Sequence, residues 1–188
     1  LEHFTSALHA SQETISGDTA LLFTDNAGNP YLVLSDGMGT GKPAAVDGQM
    51  AARLTAQLLR AGFAAESAAR LVNVALGLKN VDQESGATLD LLTVDLYTGR
   101  AGLFKAGAAP SFLCRGGTVR TLEGSSLPMG VLDSVTGRST AFALDAGDVV
   151  LMVSDGALCD GSGWLCEQLA LSAKLGQNPQ QIADTVVA

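Results

Sequence analysis

Histidine and cysteine are scarce in this sequence, and their scarcity limits the kinds of metal site that it can build. The 188 residues include two histidines, His3 and His9, and three cysteines, Cys114, Cys159 and Cys166, with no pair in a CxxC spacing. Because a structural zinc site takes its ligands mainly from cysteine and histidine, this composition argues against one. An odd and sparse set of cysteines also excludes a dense disulfide framework and predicts a reducing compartment, here the cytoplasm.

Positive charge and long apolar runs are also lacking. Lys and Arg number 11 against 19 Asp and Glu, which gives a net charge of −8, so we expect no binding to nucleic acid or to anionic lipid. No apolar run approaches the roughly 20 residues of a membrane span, and no segment resembles a signal peptide, so we expect no membrane contact from this domain. The chain starts with Leu1 rather than Met, which fits a piece of a longer protein and leaves a membrane anchor elsewhere in that protein open.

The order of apolar runs and turn residues predicts one domain of the α+β class. Short apolar runs bounded by Gly, Pro and Asp predict strands, and apolar residues recurring at helical spacing predict helices. The connections are too short for a series of βαβ units, which favours antiparallel sheets covered by helices. The predicted strands cover residues 20–24, 31–35, 88–95, 101–106, 111–113, 118–122, 138–144 and 148–154, the first two forming a hairpin; the predicted helices cover 43 to a stop at 62, about 65–76, about 164–175 and 179–187.

Three aspartates stand beside glycines at the ends of predicted strands. Ser35-Asp36-Gly37 and Ser154-Asp155-Gly156 each follow an apolar run, and Ser16-Gly17-Asp18 precedes the first strand. Carboxylates brought to one place repel each other unless protons or cations neutralise them, and an oxygen-only ligand set favours Mg²⁺ or Mn²⁺. Two such ions about 3.5–4 Å apart activate a water for attack on phosphorus. The pattern therefore indicates a metal-dependent phosphatase in which these three aspartates hold the catalytic water.

Two other interpretations of the same residues exist. Asp-Gly pairs are common turn formers, and Asp47-Gly48 and Asp160-Gly161 are further examples, so the motifs could be plain turns. The run of glycines before Lys42 also suggests a phosphate-binding loop of the form G-x-x-x-x-G-K-[ST]. In that alignment the first position is Asp36 and the last is Pro43, which argues against an NTPase. We instead predict that Lys42 is solvated at the start of a helix.

These motifs resemble the metal-binding motifs of the protein phosphatase 2C family, also called PPM. The Asp-Gly-Met-Gly at 36–39 is typical of the bacterial branch around stage II sporulation protein E. The resemblance continues through ATLDLLTVD at 87–95, KAGAAPSFL at 105–113, SLPMGV at 126–131 and NPQQIAD at 178–184. It covers nearly the whole chain, 1–188, in the right order.

The resemblance implies an αββα sandwich of two antiparallel sheets flanked by helix pairs, with two Mn²⁺ or Mg²⁺ ions. It implies that Asp36 bridges both metals, that Asp18 and the backbone carbonyl of Gly37 bind one ion, and that Asp155 binds the other. The implied activity is hydrolysis of phosphoserine or phosphothreonine on a small regulatory protein, such as an anti-anti-sigma factor. Whether the domain forms a homodimer stays open.

The sequence departs from the family pattern in two places, and the first departure favours an alternative function. The family ends with an Asp-Asp motif on a final strand, whereas this sequence stops at Ala188 in the helix that should precede it, so we expect that strand and its ligand to be missing. Many relatives also carry an Arg just upstream of the first aspartate, and residues 11–15 contain none. The alternative is a catalytically silent phosphatase fold that serves as a binding or regulatory module.

Overall fold

The computed structural model describes residues 15–79, 86–124, 126–135, 137–158 and 161–187. Within these ranges the predicted strands and helices are all present, with shifted ends. No helix in the described ranges has the length and hydropathy needed to cross a bilayer. The strands are β1 (Asp18–Thr24), β2 (Pro30–Asp36), β3 (Leu89–Val94), β4 (Arg100–Ala106), β5 (Ser111–Arg115), β6 (Thr118–Leu122), β7 (Arg138–Ala143) and β8 (Val149–Leu151); the helices are α1 (Gly41–Arg60), α2 (Ala65–Lys79), α3 (Ser162–Lys174) and α4 (Pro179–Val187), and a 3₁₀ turn covers Asp155–Leu158.

Two antiparallel sheets form the centre of the molecule. The first has the strand order β1-β2-β3-β4-β7 and the second the order β6-β5-β8. Helices α1 and α2 pack on the first sheet, and α3 and α4 cover the second. The predicted α+β class and the αββα sandwich are therefore confirmed.

Three apolar layers hold these elements together. One lies between the first sheet and α1 and α2, one between the two sheets, and one between the second sheet and α3 and α4. Burial of each large apolar side chain stabilises the fold by roughly 1.5–3 kcal/mol. Representative buried residues are Val33, Val72, Leu76 and Leu91 in the first layer, Leu92, Leu103, Leu113 and Leu122 in the second, and Phe112, Leu165, Leu169 and Ile182 in the third.

The β1–β2 hairpin sets the register on which the site depends. At its turn, Oδ1 of Asp25 accepts hydrogen bonds from the N–H groups of Ala27 at 2.8 Å and Asn29 at 2.9 Å, a side-chain mimic of a backbone turn. From this turn the two strands pair without interruption, and at the far end Asp18 lies directly opposite Asp36. The hairpin thereby brings two motifs together that are 18 positions apart in the sequence.

The strand predicted over 148–154 is wrong in its length. Only Val149–Leu151 is a strand, and its three residues are half-buried. Its partner strand β5 starts at Ser111, and the pairing of the two strands begins one residue later, where Phe112 lies opposite Leu151. Pro110 precedes that start and has no N–H to donate, so residues 152–154 continue without a ladder on that side. Asp155 consequently lies in the 3₁₀ turn rather than at the end of a long strand.

Helix boundaries follow the sequence signals more closely. Helix α1 starts at Gly41, two residues before the predicted Pro43, and Lys42 is exposed as predicted. Oδ1 of Asn178 caps α4 by accepting the N–H of Gln181 at 2.9 Å, and Oε1 of Gln181 accepts the N–H of Asn178 in turn. This reciprocal pair is a capping box. The Asp47-Gly48 pair lies inside α1, so it forms no turn, whereas Asp160-Gly161 falls partly outside the described residues.

Helix α1 touches the backbone of the aspartate motifs directly. A Cβ added to Gly37 would lie 1.8 Å from the carbonyl oxygen of Ala44, and a Cβ added to Gly48 would lie 2.2 Å from the carbonyl oxygen of Gly17. Real Cβ atoms do not approach backbone atoms so closely, so glycine is required at both positions for this contact. Any shift of α1 along the sheet must therefore move the loop that carries Gly37.

We expect Gly48→Ala to destabilise the protein by about 1–3 kcal/mol, because the new methyl group would force α1 away from Gly17. Gly77→Ala is the matched control, since Gly77 also lies in a helix but has nothing within 4 Å of its Cβ position. That change should stabilise by roughly 0.5–1 kcal/mol through helix propensity. Urea unfolding of both variants measures the difference, and equal effects would contradict the contact described above.

Candidate metal centre and adjoining pocket

The three predicted aspartate motifs converge at one end of the sandwich. Asp18 and Asp36 are cross-strand partners. The hydroxyl of Ser154 donates a hydrogen bond to Oδ2 of Asp18 at 3.1 Å, which ties the third motif to the first. Asp155 follows Ser154 directly and lines the same pocket as Asp36. The structure therefore brings together the residues that the sequence singled out from three separate places.

The backbone around Asp36 is held by the start of β3. The N–H of Asp36 donates to the hydroxyl of Thr88 at 2.9 Å, and its carbonyl accepts the N–H of Thr88 at 2.8 Å. The hydroxyl of Ser35 donates to the carbonyl of Thr88 at 2.7 Å. The main chain of Asp36 is thus held by β1 on one side and by Thr88 on the other. Asp36 therefore cannot move without breaking hydrogen bonds at the end of the sheet.

Gly17 leaves room for two oxygens of the site. A Cβ at this position would lie 2.8 Å from Oδ1 of Asp36 and 3.0 Å from the carbonyl oxygen of Gly37. The N–H of Gly37 donates to the carbonyl of Gly17 at 3.2 Å. The carboxylate of Asp36 and the carbonyl of Gly37 thus lie side by side over a residue with no side chain.

The electrostatics of this cluster favour a cation. Burial, together with the charges of Asp18 and Asp155, raises the pKa of Asp36 to about 6. Oδ1 of Asp18 is buried and has no hydrogen-bond partner among the described residues. An unpaired buried carboxylate oxygen is costly, and a hard cation bound by oxygen ligands would satisfy it. The donor set of Asp18, Asp36 and the Gly37 carbonyl therefore fits Mg²⁺ or Mn²⁺.

The carboxylates are not arranged as a compact preformed set. In the described part of the chain, no three Asp, Glu, His or Cys side chains are close enough to hold a metal ion as a group. The set that fits one ion therefore combines two carboxylates with a backbone carbonyl. Asp155 stands apart from it as the candidate for a second ion, and the ligand roles of all four residues stay predictions.

A pocket of about 160 Å³ opens beside the aspartates. Asp36 and Asp155 line it, as do Thr88, just before β3, and Asp90 in β3. The loop between β4 and β5 lines it through Gly107, Ala108 and Ala109, and Leu34, Val153 and Ser154 complete the lining. Most of these side chains are small, so the space next to the candidate metal ligands stays open.

Sequence reasoning missed a buried polar cluster at the inner wall of this pocket. Asp90 and Lys105 are each only 1% exposed and form an ion pair across β3 and β4. Ser111 is fully buried; its hydroxyl donates to Oδ2 of Asp90 at 2.7 Å and accepts from Lys105 at 2.8 Å. Burial raises the pKa of Asp90 and lowers the pKa of Lys105, and the attraction between the two charges opposes both shifts. The available signal was Asp90 itself, a charge on the same strand face as Leu92 and Val94.

An ion pair with one buried partner was also missed, on the helix side. Asp47 in α1 is buried and pairs with Lys79 at the end of α2. The pair joins the start of one helix to the end of the other. Its two residues are 32 positions apart, so no local pattern could reveal the contact.

Comparison with known proteins identifies relatives over nearly the whole chain. The family model described as stage II sporulation protein E (SpoIIE) matches residues 26–188. The stage II sporulation protein E of Priestia megaterium is 31% identical over 97% of this chain and 32% of its own length. The protein of the same name from Bacillus subtilis (strain 168) is 30% identical over 97% of this chain and 23% of its own length. The chain therefore spans about a third or less of these relatives.

Solved structures agree on the fold. The PP2C phosphatase domain of the cell-fate determinant SpoIIE from Bacillus subtilis, solved with a fragment of its regulatory domain, matches 93% of this chain and 52% of that one, with a TM-score of 0.76 and 29% identity. The RsbU and RsbW domains of Rv1364c from Mycobacterium tuberculosis match 95% of this chain and 52% of that one, with a TM-score of 0.79 and 21% identity. The second match shows the fold alone.

We predict that Asp36 makes the metal-free protein less stable as the pH rises from about 4 to about 6. The pKa of Asp36 is about 6 in the folded protein, against an ordinary value of 3.8. Between these values the folded state binds more protons than the unfolded state, so the free energy of unfolding falls with rising pH. Urea unfolding in a chelator, with wild type compared with Asp36→Asn at each pH, isolates this contribution. Parallel pH profiles for the two proteins would contradict it.

Proposed function

Because the chain belongs to the stage II sporulation protein E family, we propose that it is a metal-dependent serine/threonine protein phosphatase. The observation that carries the proposal is the meeting of three aspartates: Asp36 and Asp155 line one pocket, Asp18 lies opposite Asp36 in the hairpin, and burial together with the charges of Asp18 and Asp155 raises the pKa of Asp36. Such a cluster stores an electrostatic cost that a bound cation relieves. The matched solved domain of SpoIIE from Bacillus subtilis, named as a PP2C phosphatase domain, supports the reaction class.

Each of the four predicted ligands has a distinct task in this proposal. Asp36 would serve both ions, Asp18 and the Gly37 carbonyl would hold the first with it, and Asp155 would hold the second. When bound, Mn²⁺ or Mg²⁺ supplies Lewis-acid chemistry and lowers the pKa of a water at the site. Among the described residues the first site has three candidate ligands and the second has two, so we expect the first site to bind its ion more tightly.

The other residues of the site position and shield these ligands. The hydroxyl of Ser154 donates to Asp18 and leaves the second oxygen of that carboxylate for a cation. Thr88 fixes the main chain of Asp36. The walls of small side chains at residues 107–109 admit a phosphorylated side chain next to the aspartates. These residues orient the reacting groups and add no nucleophile of their own.

We further propose that the substrate is a phosphoserine or phosphothreonine on a small regulatory protein, of the anti-anti-sigma-factor kind. The net charge of −8 opposes a phosphorylated partner, so bound cations have to supply the attraction at the site. The membership of the chain in the stage II sporulation protein E family is the reason for proposing a regulatory phosphoprotein as partner. The choice among such proteins must come from surfaces outside the small pocket.

A catalytically silent binding module is the second candidate. It is favoured by one observation, that no three potential ligand side chains in the described ranges form a compact metal-binding group. Titration calorimetry with Mn²⁺ separates the two functions. Heat of binding that disappears in Asp18→Asn supports the phosphatase, and no binding to the intact protein supports the silent module.

For the phosphatase we expect Asp36→Asn to lower kcat/KM toward a phosphoserine peptide by at least roughly a hundredfold in saturating Mn²⁺, because the residue serves both ions. Asp133→Asn is the matched control: it removes an exposed aspartate outside the pocket and should stay within roughly twofold of wild type. Circular dichroism and calorimetry establish that both variants fold and report their Mn²⁺ affinity. Full activity in folded Asp36→Asn would refute the assignment.

A further inference from the structure

The Asp90 cluster, defined as Asp90, Lys105 and Ser111, adjoins the pocket that Asp36 and Asp155 line. Asp90 is on the same sheet face as Asp36, because Leu34 pairs with Asp90 and both Leu34 and Asp36 line the pocket. Asp90 therefore lines the same pocket as the candidate metal ligands Asp36 and Asp155, and Lys105 and Ser111 hold it there by hydrogen bonds.

The cluster holds both ends of one loop. Lys105 is near the end of β4, Ser111 is the first residue of β5, and between them Gly107, Ala108 and Ala109 line the pocket. Lys105 and Ser111 both donate to the same oxygen, Oδ2 of Asp90. One carboxylate oxygen thus fixes the two points from which the loop starts and ends.

The rest of the loop is braced from behind. The N–H of Gly107 donates to the hydroxyl of Ser126 at 3.0 Å, and a Cβ at Gly107 would lie 2.5 Å from Cα of Pro128. The loop is therefore held at both ends by Asp90 and lies against Pro128 at Gly107. These contacts, rather than the metal ligands, hold this part of the pocket lining in place.

We propose that Asp90 is a positioning residue of the phosphatase site, which through Lys105 and Ser111 holds the 107–109 loop as the wall against which the phosphorylated side chain of the substrate is placed. This inference rests on the proposed function. We assign Asp90 a positioning role rather than a contact with substrate, because its carboxylate is almost fully buried: Oδ2 accepts from the two donors, and Oδ1, which has no hydrogen-bond partner among the described residues, is buried as well. Its effect reaches the substrate through the loop.

The test uses the intact protein in saturating Mn²⁺, with Ser111→Ala as the mild variant. This change removes one donor to Asp90 and one acceptor for Lys105 but keeps the ion pair. Asp90→Asn combined with Lys105→Gln is the second variant, which removes both charges together and leaves no lone buried charge. Ser172→Ala is the control, because Ser172 is a buried serine of α3 that does not line the pocket.

Two measurements are made well below the unfolding temperature. Amide hydrogen exchange at Ala108 and Ala109 reports the loop directly, and steady-state kinetics on a phosphoserine peptide report the site. We expect Ser111→Ala to speed exchange at these two amides and to lower kcat/KM about tenfold, as a displaced positioning group does, with Mn²⁺ affinity unchanged. The double variant should show larger effects in the same direction, and Ser172→Ala should show neither.

Each contrary result has a definite meaning. Unchanged exchange in both cluster variants overturns the hold of Asp90 on the loop. Faster exchange with unchanged kcat/KM overturns the role of Asp90 in positioning substrate. A wild-type protein that hydrolyses neither the peptide nor p-nitrophenyl phosphate with any divalent cation overturns the proposed function and the substrate part of this inference. Even then, the exchange data support or overturn the hold of Asp90 on the loop.

Discussion

The carboxylates of Asp18 and Asp36 are forced to face each other across the end of the β1–β2 hairpin, and the rest of the site depends on that pairing. Like charges directly opposite in a sheet are destabilising. The hairpin cannot escape by slipping, because a slip of one residue would turn every buried side chain of β2, Val33 among them, to the wrong face. The turn at Asp25 fixes the register from the other end. The apolar core thus imposes a repulsion that a cation can relieve.

Helix α1 converts that local constraint into one that involves the whole first layer. Its contacts with Gly17 and Gly37 are between backbone atoms. No flexible side chain lies between them that could adjust if the helix moved. Protein interiors are close-packed and transmit such strain. Helix α1 is in turn held to α2 by the buried carboxylate of Asp47 and by the apolar layer beneath both helices. The position of the Gly37 carbonyl is therefore a property of the helix pair as much as of the loop.

A feature could be predicted from the sequence when it depends on residues that are close together in the chain. The hairpin, the cap at Asn178 and the exposed Lys42 depend on neighbours a few residues away, and these predictions are confirmed. The aspartates were found because each carries its own local mark, a serine and a glycine beside it. Asp90 carries no such mark, and its partners lie on another strand and in the other sheet. The short length of β8 likewise depends on where β5 begins, which only the packed sheets determine.

The Asp90 cluster cannot be explained by stability alone. Taking two charges out of water costs several kcal/mol per ion, and replacing a buried pair by well-packed apolar residues is often neutral or stabilising. The pair of Arg115 with Asp148, in which the arginine is half exposed, already bridges β5 to the start of β8. If a link between strands were the only need, an apolar contact would serve at position 90 as well. What an apolar contact lacks is direction: hydrogen bonds from Lys105 and Ser111 to one oxygen fix the angle at which the loop leaves both strands. Hydrogen bonds that fix the direction of a loop are useful where the loop must stay at a set distance from a reacting group. Here the 107–109 loop lines the same pocket as Asp36 and Asp155.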